Sequence, residues 1–440
     1  MSSTSSMNAY RDGVNHENDR DSVCRRDEWM IIRFAMDKEV TMSVTDQQEI
    51  RVSIDVGCHQ HSVAIGLPDG RLLEEFDIEH KATGFKIFFQ RIARWEKQFG
   101  SSVSVAMEGY NGYARPLDRL IRARAYRLYN INNLKLARFK EIFPGAAKND
   151  VIDARKGLEL FQLSDHLPLA KQVLQEVAPV SLVNEQLKRL TRRRRRLVNE
   201  RVRVKNTIQS DLQAVCPGLL EITNDVNQIW FIHFLASSKH LKTLPRKKRS
   251  SLLQIRGVGI QKVSLIEQWQ DSAFFSDEVD LVSPMIIEDA KRIIELNEQV
   301  NQLEVQIEIL NVQSQESGVL RTMPGFGLVT AAEVAGEIGN VDRFNGEASL
   351  ALYLGMATLD NSSGNYKGSK QAKHVNTRAK AAMMVMVDRH RKRVPQSQRY
   401  YEKKRKDGKK HNQAIRALGR HLCRVIYKML VNNVGYVMKA

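Results

Sequence analysis

The sequence predicts an α/β domain followed by a mainly α-helical remainder. Between residues 50 and 130, apolar residues alternate in short runs bounded by turn residues, the period of strands. Between 183 and 215, and again between 286 and 310, they recur at spacings of about three and four, the period of helices. From about residue 319 the spacing is helical once more, interrupted by a loop rich in glycine and lysine.

Residues 1–48 are rich in Ser, Asp, Asn and Arg and hold no sustained period beyond the patch Trp29 to Phe34, so a disordered extension is expected. Met30, Met36 and Met42 offer alternative starts within it. The alternation begins at Ile50. Val52, Ile54 and Val56, then Val63, Ile65 and Leu67, then Leu72, Leu73 and Phe76 past the Pro68-Asp69-Gly70 turn, read as three strands joined by tight turns. Phe85, Ile87, Phe88, Ile92 and Trp95 mark an amphipathic helix, and Val103, Val105 and Met107 a strand that ends at Glu108. A helix over 116–125 and a strand over 126–130 continue the series. Three strands, a helix and a buried strand are the order of a ribonuclease-H-like domain, which is expected to fill 49–170.

Val183, Leu187, Leu190, Leu197, Val204, Ile208, Leu212 and Val215 form the seam of one long helix, interrupted by Arg194 and Arg201. Between Glu185 and Lys205 it carries ten basic residues and two acidic ones. Ile286, Ile293, Leu296, Val300, Leu303, Ile307 and Leu310 form a second seam, with six acidic residues and two basic ones between 286 and 310. Opposite charge on two heptad helices predicts a coiled-coil pair over 180–315, within one chain or between protomers. The run Arg192, Arg193, Arg194, Arg195, Arg196 covers every face of its helix, which favours phosphate binding over a solvated face. A C-terminal helical domain then occupies 318–440, closing with a helix that bears Ile415, Leu418, Leu422, Ile426 and Leu430.

Lys and Arg number 68 against 50 Asp and Glu, a net charge of +18 with a pI near 9.7. Such an excess favours a polyanion, because each phosphate neutralised releases condensed counterions. Nucleic acid is the expected partner. No apolar run reaches the roughly 18 residues of a membrane span, and no secretory pattern opens the chain, so a cytoplasmic protein with no membrane partner is expected. Cys24, Cys58, Cys216 and Cys423 stand far apart, which predicts neither disulfides nor a zinc site.

Three constellations could carry chemistry. Asp55 lies in an apolar strand, Glu108 at the end of another, and Asp150 and Asp153 on one face of an expected helix. An acidic residue in an apolar strand costs several kcal/mol unless exposed, paired or bound to a cation. Carboxylate oxygens suit hard cations, and two such ions can stabilise both oxygens of a phosphoryl transfer. Second, Gly325-Phe326-Gly327 before Ala331 has the pattern of a helix-hairpin-helix turn, where glycines let backbone N–H groups approach a phosphate; Gly257-Val258-Gly259 is a weaker copy. Third, the loop from Ser362 to Lys373 holds Ser362-Ser363-Gly364 and the cations Lys367, Lys370 and Lys373, although serine in such a loop most often serves turn hydrogen bonds.

Ser53-Ile54-Asp55-Val56-Gly57, Met107-Glu108-Gly109-Tyr110 and Lys148-Asn149-Asp150-Val151-Ile152-Asp153 resemble the acidic motifs of the DEDD insertion-sequence transposases, a family that includes Piv-type DNA invertases and bridge-RNA-guided recombinases. Met323 to Gly327, Val341 to Phe344, Leu354-Gly355, Ser362-Ser363-Gly364 and His374 to Arg378 resemble that family's C-terminal transposase domain, in the same order. The resemblance spans about residues 50–430. It implies a ruvC-like nuclease domain, a coiled-coil connection and a C-terminal domain with a nucleophilic serine that forms a covalent phosphoserine link. Carried over by position, Mg2+ or Mn2+ would be held by Asp55, Glu108, Asp150 and Asp153, and Ser363 would attack, with Ser362 its rival. Gly325, Gly327, Lys367, Lys370, Lys373 and the five arginines would contact nucleic acid. The implied partners are the DNA of the element ends and target, a guide RNA, and further copies of the chain as a dimer or tetramer. A junction resolvase using metal-activated water, and a non-catalytic nucleic-acid-binding protein, are the competing possibilities. Asp55-Val56-Gly57 also resembles the phosphate loop of actin-like ATPases and sugar kinases, but the second glycine-rich loop those need is not found in the right place.

Overall fold

The computed structural model describes residues 49–108, 112–113, 115–141, 150–164, 166, 173–223, 225–365, 368–372 and 375–438. The expected disordered extension, with its alternative starts, lies outside them, as do Lys367 and Lys373. The chain divides into two compact units, one ending at Gln175 and one beginning at Glu176.

The first unit is built on strands β1 (Ile50–Val56), β2 (Gln60–Gly66), β3 (Leu72–Glu79), β4 (Val103–Glu108), β5 (Arg127–Ile131) and β6 (Leu174–Glu176). They form one sheet in the order β3-β2-β1-β4-β5-β6. β1, β2 and β3 are antiparallel, while β1, β4 and β5 run parallel. Helices α1 (Ala82–Phe99), α2 (Arg115–Ala123), α3 (Asn133–Lys140) and α4 (Asp150–Leu163) complete the unit. The expected strands and helices of 50–131 are thus present, each within a few residues of its predicted limits. β1 is buried from Ile50 to Ile54, as a central strand covered on both faces must be.

In the second unit, α5 (Leu182–Val215) and α9 (Val279–Gln313) are the two long helices expected from the heptads, and they lie side by side in one chain. Their cores run in opposite directions: Leu187 meets Ile307, Leu197 meets Leu296 and Val300, and Leu212 packs with Ile286 and Ala290. The seam arginines reach across, Arg194 to Glu304 at 2.7 Å and Arg201 to Asn297 at 2.6 Å. Between these helices the chain makes α6 (Ile229–Ala236), α7 (Arg249–Leu253) and α8 (Ile260–Ser272), packed around Phe231, Phe234 and Trp269 at one end of the pair.

At the other end lie α10 (Gln315–Arg321), α11 (Leu328–Ile338), α12 (Glu347–Tyr353), a hairpin of β7 (Thr358–Asp360) and β8 (Ser369–Gln371), then α13 (Thr377–Arg391), α14 (Pro395–Lys406) and α15 (His411–Asn432). Their shared core includes Leu320, Val334, Leu350, Met383, Met386, Leu418 and Ile426. Ala332 of α11 joins the cluster of Leu187 and Ile307, so the helix pair and the C-terminal helices belong to one compact unit. Cys216 and Cys423 are packed within these cores, and burial pushes their thiols up to about 11 and about 12. No helix among the described residues is long and apolar enough to cross a membrane.

Candidate active site

Side chains alternate along a strand, so β1 turns Arg51, Ser53 and Asp55 to one face of the sheet. Helix α4 covers that face and runs against the direction of β1. Arg51 Nη1 donates to the carbonyls of Phe161 and Gln162, at 2.8 and 3.2 Å. Further along the strand, Gly157 lies on Ser53 so closely that a Cβ at 157 would come within 2.3 Å of Ser53 Oγ. Any side chain there would lift the helix from the sheet. Asp153 is one helical turn before Gly157 on the same face, and Asp55 is one pleat beyond Ser53, so the helix start runs toward the Asp55 end of the strand.

Strand β4 supplies the third carboxylate. The parallel register sets Ser53 beside Ala106 and Ile54 beside Met107. Continued by one residue, that register would set Glu108 level with Asp55 on the same face. Ala106 packs with Leu160 and Phe161 of α4, which fixes that face as the one the helix covers. On the antiparallel side Asp55 is in register with Ser62, whose hydroxyl donates to Asp77 Oδ1 at 2.6 Å.

The carboxylates are not equivalent. Asp153 is bound by Lys140 Nζ at 2.9 Å, and Asp150 opens α4 with its side chain outside the described residues. Among the described residues no three Asp, Glu, His or Cys side chains stand close enough to hold one ion. Even so, the donors on this face are carboxylate oxygens, the kind hard divalent ions take, and Asp153 already attracts a cation in Lys140. His61 shares a hydrogen bond of 2.8 Å with His80. Burial and then the charge of His80 push it down to about 4. Since His61 pairs with Val56, it faces away from Asp55 and is neutral at pH 7.

The serines sit at the tip of the β7–β8 hairpin, where the sequence predicts only a loop. Asp360 pairs with Ser369, and Asn361 N–H donates to the Gly368 carbonyl at 2.9 Å. Ser362 Oγ donates to Asp360 Oδ1 at 2.8 Å, whereas Ser363 is exposed and is followed by Gly364 at φ +54°. Lys370 is exposed on β8. Gly327 caps α11 in extended backbone. Gly325 has φ +89°, and a Cβ there would come within 2.6 Å of the His390 backbone nitrogen. Close approach to α13 is by itself reason for glycine at 325. The Gly257 turn repeats this form, with φ +83° and Gly259 capping α8.

Residues 52–217 match a DEDD-type transposase model, and residues 317–402 match the model of the transposase IS116/IS110/IS902 family. Together the two matches span more than half of the chain. It is a member of the DEDD insertion-sequence transposase family. The first match contains Asp55, Glu108, Asp150 and Asp153, and the second contains Ser363. The 43.6 kDa protein of insertion element IS110 from Streptomyces coelicolor is 24% identical over 89% of this chain and 96% of its own length. The 44.8 kDa protein of IS116 from Streptomyces clavuligerus is 22% identical over 71% of this chain and 78% of its own length. The 42 kDa protein of IS900 from Mycobacterium paratuberculosis is 28% identical over 36% of this chain and 40% of its own length.

In this transposase the arginine run is mostly engaged within the fold, against the expectation that it serves phosphate binding as a whole. Arg192 donates two hydrogen bonds to Glu337 at 2.6 and 2.8 Å, and Arg195 two to Glu333 at 2.6 and 2.5 Å. With Arg194 on Glu304, three of the five have carboxylate partners, and Arg193 and Arg196 are exposed. Glu337 is fully buried and also accepts from Asn376 Nδ2 at 2.7 Å. Burial pushes its carboxyl up, but hydrogen bonds from Arg192 and Asn376, with the charges of Arg192 and Lys188, outweigh this and hold it below the ordinary range. Asn376 caps α13 through its Oδ1, so the His374 to Arg378 motif ties that helix to this network. The sequence did carry a sign of these residues: Glu333 and Glu337 are four apart in the otherwise apolar helix Leu328–Ile338.

Proposed function

We propose that this transposase cuts and rejoins DNA through a covalent phosphoserine, with Ser363 as nucleophile and Asp55, Glu108, Asp150 and Asp153 as holders of Mg2+ or Mn2+. The observation that supports the proposal is that β1 and β4, which end near Asp55 and Glu108, pair in parallel, while Gly157, one turn after Asp153 on α4, lies on Ser53. A divalent cation there supplies charge neutralisation at the phosphate oxygens. In the first step a bond forms between Ser363 Oγ and phosphorus, the bond to one sugar oxygen breaks, and the serine proton leaves to solvent while the sugar oxygen gains one. Rejoining is the reverse, with a new strand's hydroxyl displacing serine. The commitment of the Ser362 hydroxyl to Asp360 supports Ser363 over its neighbour.

A serine hydroxyl is a weak nucleophile, so reaction needs the acidic face and the hairpin on one phosphate. Assembly on DNA then controls cutting. A guide RNA and a dimer or tetramer belong to the same proposal; the net charge of +18 and the exposed Arg193, Arg196 and Lys370 support a nucleic-acid surface. The test is strand cleavage of supercoiled element DNA against Mg2+ concentration. Asp55→Asn and Glu108→Gln should each lower the rate by about 10³-fold or more, equivalent to about 4 kcal/mol of transition-state stabilisation. Both variants should remain folded, as checked by thermal unfolding. Wild-type cleavage by either variant would remove the acidic face from the reaction.

A further inference from the structure

A cleft of about 590 Å³ opens at the base of the serine hairpin. Thr358 of β7 and Ser369 of β8 form its hairpin side. Arg416 and Arg420, four residues apart on α15, form a wall, and Lys409 in the turn between α14 and α15 stands beside them. Among the described residues no Asp or Glu lines it. From Thr358 to Ser363 is five residues, at most about 17 Å of extended chain.

The electrostatics of the cleft are one-sided. Glu347 accepts from Arg420 Nη2 at 3.2 Å and from Arg424 Nε at 3.0 Å, so one carboxylate is shared between two guanidinium groups. Arg420 Nη1 is buried and has no hydrogen-bond partner among the described residues. A buried donor without an acceptor is costly, and a ligand oxygen would satisfy it. His421, beside Tyr400 with ring centroids 4.7 Å apart, registers the same field. Burial and then the charges of Arg424, Arg420 and Lys404 push its pKa down. An anion with several oxygens and a flat group to lie against Tyr400 or His421 fits this set of donors and rings.

We propose that the cleft grips the phosphodiester backbone of a single DNA strand next to the serine hairpin, with Lys409, Arg416 and Arg420 on phosphate oxygens. The proposal rests on Ser363 being the DNA-cutting residue, since that is what brings a DNA strand to this edge. Gripping a strand within a few nucleotides of the cut would hold the scissile phosphate in line, and positioning of this kind contributes directly to rate.

The experiment is fluorescence anisotropy of the full-length protein with labelled oligothymidylate over a range of salt. Lys409→Gln with Arg416→Gln should reduce the slope of log affinity against log salt by roughly 1.4, the release expected for two single-strand phosphate contacts. Lys409→Gln alone, at an exposed turn, should give half of that shift, and Lys409→Arg with Arg416→Lys should keep the full slope. An unchanged slope in the folded single and double variants would overturn the proposal. So would a loss confined to labelled oligouridylate, which would make the cleft an RNA site. Failure of the serine assignment looks different: no DNA adduct on the wild-type protein, with the slope still reduced in the double variant, leaves the cleft standing as a backbone site.

Discussion

Two sets of acidic residues lie in apolar elements of this protein, and the fold treats them in opposite ways. Glu333 and Glu337, on the buried helix Leu328–Ile338, each receive a bidentate arginine from the helix Leu182–Val215. Asp55 and Glu108 instead lie near the ends of the adjacent parallel strands β1 and β4. One set is matched to arginines across a helix interface, and the other stands near strand ends and at the start of a helix, where Lys140 holds Asp153. A carboxylate in an apolar element therefore has no single meaning. Carboxylates matched to guanidinium forks across a helix interface fix helices to one another, whereas those near strand ends are the ones we propose to hold a divalent cation.

The largest expected effect that would sharpen this contrast is on stability. Arg192→Ala removes a bidentate partner from fully buried Glu337 and should destabilise the second unit by about 3 kcal/mol, read as a drop in unfolding midpoint. Replacing both partners, Arg192→Met with Glu337→Leu, should recover most of that loss. Asp55→Asn should lose less. An Arg192→Ala protein as stable as the wild type would break the comparison.

Acid should separate the two sets next. The carboxyl of Glu337 is held below its unfolded value of about 4.3, so its contribution is full above that pH and is lost as pH falls through the folded pKa. Thermal unfolding followed from pH 6 to pH 3 should show a loss of stability below about pH 4 that is smaller in Arg192→Ala. Equal pH profiles would mean that the ion pair contributes nothing.

The smallest effect concerns the exposed members of the run. Arg193→Gln with Arg196→Gln should leave the unfolding midpoint within about 0.5 kcal/mol of wild type, as surface substitutions do. The same pair should lower the salt slope of duplex DNA binding by up to about 1.8. If Arg192→Gln flattens that slope more than they do, the division of the run into packing and contact residues is wrong.

Much of the first unit was legible because its signals are local. Alternation at Ile50–Val56 and Val103–Glu108 marks strands, and an Asp in such a strand is conspicuous. What joins the strands that carry Asp55 and Glu108 is a pairing about fifty residues apart in sequence, which no local pattern carries. The arginines misled for the same reason: five in a row look like a solvated or phosphate-binding surface until Glu333 and Glu337, some 140 residues away, are folded against them. Helix Ile229–Ala236 is apolar on nearly every side, so it shows no amphipathic period to read. The β7–β8 hairpin has strands of three residues, exposed along Thr358–Asp360, and alternation needs a longer strand with one buried face.

The measurement closest to the proposed chemistry is mass spectrometry of the protein trapped with DNA. After reaction on a nicked substrate and digestion, a nucleotide should be found on the peptide spanning Ser362 and Ser363, localised to Ser363 and absent from Ser363→Ala. An adduct on Ser362 would move the nucleophile by one residue. Cleavage that continues in Ser363→Ala with no adduct on either serine would contradict the phosphoserine mechanism and assign the attack to water.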